Sequence, residues 1–434
     1  MLRKQIVHTV EDIASFKKSL LRWTEDFDEI VWLDSNEHNH SYASFDVLVA
    51  VDGLTGISTD SFNAFNDLKE YQSQVNDWIL GYLSYDLKND VEDLVSQNFD
   101  GLDFPELYFF QPKKIIQIKG SEITFLYMNL VADEIQKDFE TILVIDGAPP
   151  AHHEKKERPS IRMRIFKDEY FEKLERILGH IHHGDIYEVN FCQEFYCEGL
   201  DLNPLSIYER LNEISKPPFA TFMKVWDKYV LCASPERFLK KEGNKIISQP
   251  IKGTAARSHN PDEDEALKKK LGKDEKERSE NVMIVDLVRN DLSKNALKGT
   301  VQVEELCKIY SFPQVHQMIS TISCEVGDDE NPVDIIRSCF PMGSMTGAPK
   351  VSAMKVIEEV ESFKRSVYSG AVGYFTPDGD FDFNVVIRSI LYNSTNKYLS
   401  YAVGGAITAK SDPEKEYLEC LLKAKAMRQV LEEL

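Results

Sequence analysis

The chain has 434 residues, 42% hydrophobic and 28% charged, with 51 basic against 72 acidic side chains and a net charge of -21. That composition belongs to a globular protein with room for a large core, so disordered and fibrous classes are excluded, and the negative field disfavours nucleic acid or anionic membrane as a partner. No stretch approaches the roughly 18 apolar residues of a membrane helix, MLRKQIVHTVEDIASF lacks a leader's apolar run, and seven scattered cysteines without CxxC spacing exclude a disulfide framework or zinc site, so a cytoplasmic protein with reduced core thiols is expected.

Residues 1–145 read as an N-terminal region of mixed strands and helices. IVWLD and FDVLVAVD are strand-like, and DSFNAFNDLKEYQSQVNDWILGYLSYDL is largely helical in its spacing. Prolines and charges in DGAPPAHHEKKERPSIRMR mark a linker over 146–160, and residues 161–434 form a second domain. KDEYFEKLERILGHIHHGD is an amphipathic helix closed by glycine, IYEVNFCQEFYC alternates as a strand, and SIYERLNEIS is a helix. YVLCASPERFLK and KIISQPIKGT read as strands. NPDEDEALKKKL starts a helix with Asn260 as cap and Pro261 at the first position, and KDEKERSENVMIVDLVRNDLS is a long helix. SGAVGYFTPDGDFDFNVVIRSILYN and YLSYAVGGAITAK are strands with PDGD as a hairpin turn, and Asp412-Pro413 opens the terminal helix.

Several stretches carry chemistry. Lys252 lies in SQPIKGT between Pro250, which fixes the local backbone, and Gly253, which lets the chain turn; this suits an amine aimed into a pocket from a strand end. Glu277 with Glu280, and Glu416 with Glu419, are spaced i,i+3 and share a helix face. They are either two solvated faces or, if the helices meet, four carboxylates around a hard cation such as Mg²⁺. Glu236 in SPERF is either a general acid at a strand end or a turn glutamate paired with Arg237. PMGSMTGAPK places Gly343, Ser344, Thr346 and Gly347 ahead of a helix, as a weak anion-binding turn; it is not a P-loop. Arg388 can fork onto a carboxylate, and Gly404-Gly405 permits close backbone approach.

In this order GDIYEVNFCQ, SPERF, PIKGT, ERSENVMIVDLVRNDLS, PMGSMTGAPKVSAM, YSGAVGY, VVIRS and SDPEKEYLE resemble the chorismate-utilising enzymes: anthranilate synthase component I, aminodeoxychorismate synthase component I, and isochorismate and salicylate synthases. WLDSNEH followed by SYASFDVLVA resembles the segment that builds a tryptophan pocket in the first two. The resemblance implies an α+β body of two large, mainly antiparallel sheets with outer helices and the active site in the cleft between them. It implies Mg²⁺ on Glu280 and Glu419, with Glu277 and Glu416 behind them through water, and Glu236 as general acid. Tyr368 and Arg388 match the positions that hold the enolpyruvyl carboxylate. Ser344, Thr346, Lys350, Gly404 and Gly405 fall among the other substrate-binding positions.

Lys252 discriminates within the group. Aminodeoxychorismate synthases resemble PIKGT in carrying a lysine there, used as a nucleophile on the ring, where anthranilate synthases usually carry alanine. The implied reaction is amination of chorismate at C4 with ammonia, giving 4-amino-4-deoxychorismate for 4-aminobenzoate and folate synthesis, with a glutaminase subunit as ammonia source. The alternatives are anthranilate synthase component I and a regulatory pseudoenzyme that binds tryptophan or a glutaminase. For the lysine to attack, its pocket is expected to depress its pKa. The chain departs from the family at Glu188, where glutamine is common, at Gln317, where a histidine is usual and His316 would point about 100° away on a helix, and at Ala406, in place of a third glycine.

Overall fold

The computed structural model of the chain describes residues 2–38, 42–147, 159–258, 260–312 and 315–433. Helices begin where capping chemistry puts them. Asn203, Asn260 and Asp412 each accept a first-turn amide with the side-chain oxygen, and each is followed by a proline at the first helical position, where no amide is needed. Asp274 caps the helix Glu275–Ser293 in the same way, accepting from the Glu277 amide.

The period-two stretches build an antiparallel system. One run of neighbours is Arg3–Thr9, Glu122–Met128, Leu107–Lys119, Val47–Thr59, Glu29–Asp34, Phe219–Val225, Lys228–Ser234, Ser389–Asn393, Tyr398–Thr408 and Glu188–Glu198. A second leaves Leu107–Lys119 through Ile79–Leu83, Ala371–Phe375, Phe381–Asn384, Arg237–Glu242 and Lys245–Gln249 to Val315–Glu325, which also pairs with Ile251–Ala256 and Gln302–Ser311. The strands Val47–Thr59 and Leu107–Lys119 are long enough to join both runs, and a register shift between Gly53 and Thr55 bends them. This is the expected α+β architecture, with the two sheets continuous through those strands. Strands from before residue 146 pair with strands from after residue 160 at two places, Glu29–Asp34 with Phe219–Val225 and Ile79–Leu83 with Ala371–Phe375.

Helices cover the sheets through two buried clusters. Tyr170, Leu174, Leu211, Met427 and Val430 pack with Phe191, Leu231 and Ile390 of the first run. Ile284, Val288, Ile335 and Ile336 pack with Leu239, Ile246 and Ile322 of the second. The helices Glu275–Ser293 and Pro413–Glu432 therefore belong to different layers, and their acidic N-terminal turns approach each other between them. All seven cysteines are free and buried. No helix among the described residues is long and apolar enough to cross a membrane.

Four local readings are corrected. DSFNAFNDLKEYQSQVNDWILGYLSYDL is helical only over Ala64–Val75, and its second half forms the buried strand Ile79–Leu83. YVLCASPERFLK is two strands, broken at Pro235-Glu236, that lie in different sheets, and KIISQPIKGT is two strands broken at Pro250. His316 and Gln317 lie on the strand Val315–Glu325 and not on a helix, so they point to opposite faces. The linker expected over 146–160 falls mostly outside the described residues.

Candidate active site

The breaks in the strands create the site. At Pro235-Glu236 the chain passes from one sheet to the other, which leaves Glu236 buried at the crossing; its carbonyl accepts from the Val385 amide at 3.0 Å. At Lys252-Gly253 the register against Val315–Glu325 shifts, a bulge that re-aims the lysine. Gly253 has φ +90°, and a Cβ there would come within 3.1 Å of Glu277 Oε2, so the bulge needs glycine and lies directly over a carboxylate. Lys252 Nζ lies 3.4 Å from Glu188 Oε1, with side chains 12% and 2% exposed. Glu188 opens the strand Glu188–Glu198 and is held on both sides, opposite Thr408 and opposite Ala348.

The PMGSMTGAPK turn closes one wall. Gly347 has φ +148°, and a Cβ on it would fall 2.1 Å from the Glu188 carbonyl oxygen. The Thr346 hydroxyl donates to Met342 and Gly343 carbonyls of its own turn, so it holds the loop. Ser344 Oγ is buried with no partner of good hydrogen-bond geometry, although it lies close enough to Glu236 to hold that carboxyl's pKa down somewhat. Behind the turn, Arg365 donates to the Met345 and Asn190 carbonyls and pairs with Glu361, which accepts from the Cys192 amide. Tyr368 is buried beside Cys192 Sγ at 3.8 Å, and Gly404 lies over the same sulfur. Arg388 has φ +52° and its carbonyl accepts from the Ala233 amide, while its guanidinium makes no hydrogen bond or ion pair with the described residues; burial, opposed by Glu236, lowers its pKa. Lys350 is turned to Asp291 and the Cys339 carbonyl, in a buried ion pair under the helix start and not beside Lys252.

The carboxylates are drawn near one another, and lysines tie them. Lys276 Nζ is 3.2 Å from Glu416 Oε1 and 3.7 Å from Glu280 Oε1, joining the two helices. Lys423 Nζ is 2.8 Å from both Glu419 Oε1 and the Gly404 carbonyl. A Cβ on Gly405 would lie 3.5 Å from Glu416 Oε2 and 4.0 Å from Glu419 Oε1, so the glycine pair forms the floor of this cluster. Among the described residues no three His, Cys, Asp or Glu side chains close up tightly enough to ligate an ion. The donor chemistry nevertheless fits a hard divalent cation. Every candidate is a carboxylate, Glu280 Oε1 is buried without a hydrogen bond, and burial followed by the Glu419 charge raises the Glu277 pKa. Spacing of the acidic residues alone does not single out Lys276 and Lys423, although each stands four residues from a glutamate it touches.

Titration follows from this packing. Burial pushes Glu236 up to about 7 against Ser344, Lys252 and Arg388. Burial likewise pushes Glu280 up to about 7, against Lys252 and Lys276. Glu419 goes the other way: burial raises it, but Lys423, Lys276 and Lys252 together bring it below the ordinary value. Lys252 corrects an expectation. Burial is its largest single influence and lowers its pKa, yet Glu188, Glu280 and Glu236 outweigh burial, and the amine is held above the ordinary lysine value. Gln317 is buried with Nε2 unpartnered, while His316 is engaged by Ser311 and Asp264 on the other face.

An amine, a protonatable carboxyl and an unpaired guanidinium around a carboxylate cluster define a site for an anionic substrate. The chain belongs to the chorismate binding enzyme family, which it matches over residues 28–429. It is 42% identical over 270 residues to a probable chloroplastic aminodeoxychorismate synthase of Oryza sativa subsp. japonica, a match covering 62% of this chain and 30% of that protein. It is 31% identical to aminodeoxychorismate synthase component 1 of Bacillus subtilis, over 91% of this chain and 89% of the other. The fold is that of anthranilate synthase component I from Streptococcus pneumoniae, with a TM-score of 0.76 and 23% identity over 90% of this chain and 94% of that one.

Proposed function

We propose that this chain aminates chorismate at C4 with ammonia, releasing water and 4-amino-4-deoxychorismate, as an aminodeoxychorismate synthase component I. The observation that carries the reading is the buried Lys252 amine set among Glu188, Glu236 and Glu280. In this reading residues 161–434 supply every reacting group, and residues 1–145 complete the sheets around them.

Chorismate is a dianion, and the unpaired Arg388 guanidinium takes its enolpyruvyl carboxylate, with Tyr368 alongside. Ser344 and the side-chain-free Gly404-Gly405 stretch accommodate the ring. Thr346 acts by holding the turn, and Lys350 acts from below it through Asp291. Glu280 and Glu419 would hold Mg²⁺, with Glu277 and Glu416 behind them through water, and the ion when bound supplies positive charge to the ring carboxylate. Glu236, about half protonated near pH 7, donates its proton to the departing C4 hydroxyl. Lys252 bonds to C2 as that hydroxyl leaves, and ammonia adds at C4 and expels the lysine.

A glutaminase subunit is the proposed source of ammonia, and the cytoplasm the proposed compartment. Tryptophan is the proposed occupant of a separate pocket walled by Leu33, Asp34, Ser35, Phe45 and Phe219. Incubation with chorismate, ammonium and Mg²⁺ followed by product mass tests the reading. The expected product retains the enolpyruvyl group and gives 4-aminobenzoate only after a lyase is added. Anthranilate as the main product would replace it with the anthranilate synthase reading.

A further inference from the structure

Lys252 must attack as a neutral amine, but the resting site holds it as a cation, faced by Glu188 from the strand Glu188–Glu198, Glu280 from the helix Glu275–Ser293 and Glu236 from the sheet crossing. A proton has to leave before the C2–N bond forms. Bulk water is a poor acceptor, because the lysine side chain is only 12% exposed. Of the three carboxylates, Glu236 carries the proton destined for the leaving oxygen, and Glu280 is assigned to the cation. Glu188 has neither task. It is the one carboxylate among the described residues with an oxygen within 4 Å of Lys252 Nζ, and its Oε2 is buried with no hydrogen-bond partner. Its backbone is pinned between the strands Tyr398–Thr408 and Gly347–Ala348, which fixes the point from which the side chain reaches the amine.

We propose that Glu188 is the catalytic base for Lys252, taking a proton from Nζ before attack and returning it when the lysine is expelled. This rests on the amination reading above and adds a residue to it. The protons balance. Lys252 ammonium gives one to Glu188, and the neutral amine adds to C2 while the C4 hydroxyl departs as water with the Glu236 proton. Ammonia adds to C4, and the lysine leaves as a neutral amine, which recovers its proton from Glu188. The new C4 ammonium gives its extra proton to Glu236. Chorismate and ammonia thus become 4-amino-4-deoxychorismate and water, with both carboxyls restored. A glutamine at position 188 could hold the lysine by a hydrogen bond but could not accept its proton.

The test is the pH profile of Glu188→Gln, with free ammonia held saturating at each pH. In the wild type the proton moves within the pair, so kcat stays level between about pH 6 and 7; in the variant it goes to solvent, so kcat falls about tenfold per pH unit as the pH is lowered. At pH 7 the variant should be slower by about 10²-fold, with an unchanged melting temperature. A variant as fast as or faster than the wild type at pH 7 would mean that Glu188 merely keeps Lys252 charged, and would overturn the proposal. A slow variant with the level wild-type profile would assign Glu188 a packing role and also overturn it. If Glu188→Gln does not fold, Glu188→Asp decides: reduced kcat with a level profile supports the proposal, and a sloping profile rejects it. Wild-type production of anthranilate, or of no aminated product, would instead reject the functional reading, and this inference with it.

Discussion

Lys252 and Glu236 show opposite outcomes of burial in one pocket. For Glu236 burial wins, and the carboxyl titrates at about 7; for Lys252 three carboxylates win, and the amine is held protonated. A buried acid poised near neutrality can protonate a leaving hydroxyl, so kcat/KM should decline above about pH 7 as Glu236 loses its proton. Glu236→Gln should lower the rate by about 10²-fold and remove that decline, which rate measurements between pH 6 and 9 would check. Lys252→Ala should lose amination to a similar or greater extent. Lys252→Arg should fail equally, because a guanidinium stays protonated and cannot attack. Near-normal C4 amination by either lysine variant, read by product mass, would remove the covalent step.

At the scale of elements, the helices and their caps were readable because each start is a local contact: Asn260 and Asp412 meet amides two or three residues away. The strand breaks at Pro235 and Pro250 were not, since an alternating apolar pattern looks the same whether a strand continues or its chain changes sheets. Those breaks position Glu236 and Lys252, so the sequence motifs single out the two residues while the reason for their placement lies in tertiary pairing. The same ambiguity covers Gln317, which lies on the strand Val315–Glu325 and not on the expected helix. The Glu361–Arg365 pair leaves no local signal because its partners, the Asn190 and Met345 carbonyls, are remote in sequence. It links the Glu188–Glu198 strand to the turn carrying Ser344. Glu361→Gln leaves a buried guanidinium without its counter-charge and should cost about 3–5 kcal/mol. Denaturant unfolding at pH 7.5 measures that loss, and a change under 1 kcal/mol, by order of magnitude, would mean that the pair is dispensable to the turn.

Across the whole molecule the net charge is -21, and part of the acidic excess is gathered where two layers approach each other. Glu277 and Glu280 come from one layer, Glu416 and Glu419 from the other; Lys276 bridges the two, while Lys423 pairs with Glu419 within its own helix. The pH dependence of stability follows from the direction of each shift. Glu236 and Glu280 are raised from an ordinary 4.5 to about 7, so the folded chain binds more protons than the unfolded one between those values. Their contribution to stability is fully present below about 4.5 and is lost as the pH rises through about 7. Glu419 is lowered, so its smaller contribution is present above the ordinary carboxyl range and lost on acidification. With divalent metal chelated, the melting temperature should therefore fall as the pH rises from about 5.5 to 8. A cation that binds only the folded cluster should offset the fall, by about 2.7 kcal/mol at a hundredfold excess over its Kd. Glu280→Gln and Glu419→Gln should each diminish the Mg²⁺ increment, because a ligand is lost while the shape is kept. Lys276→Met should lower the chelated melting temperature and enlarge the increment, because the lysine no longer shares Glu280 and Glu416 with the ion. Melting curves with Mg²⁺ and with chelator, for all four proteins across that pH range, need no turnover. Equal Mg²⁺ increments in the wild type and both glutamine variants would mean that the cation binds elsewhere, and that Lys276 bridges the two acidic helix ends without it.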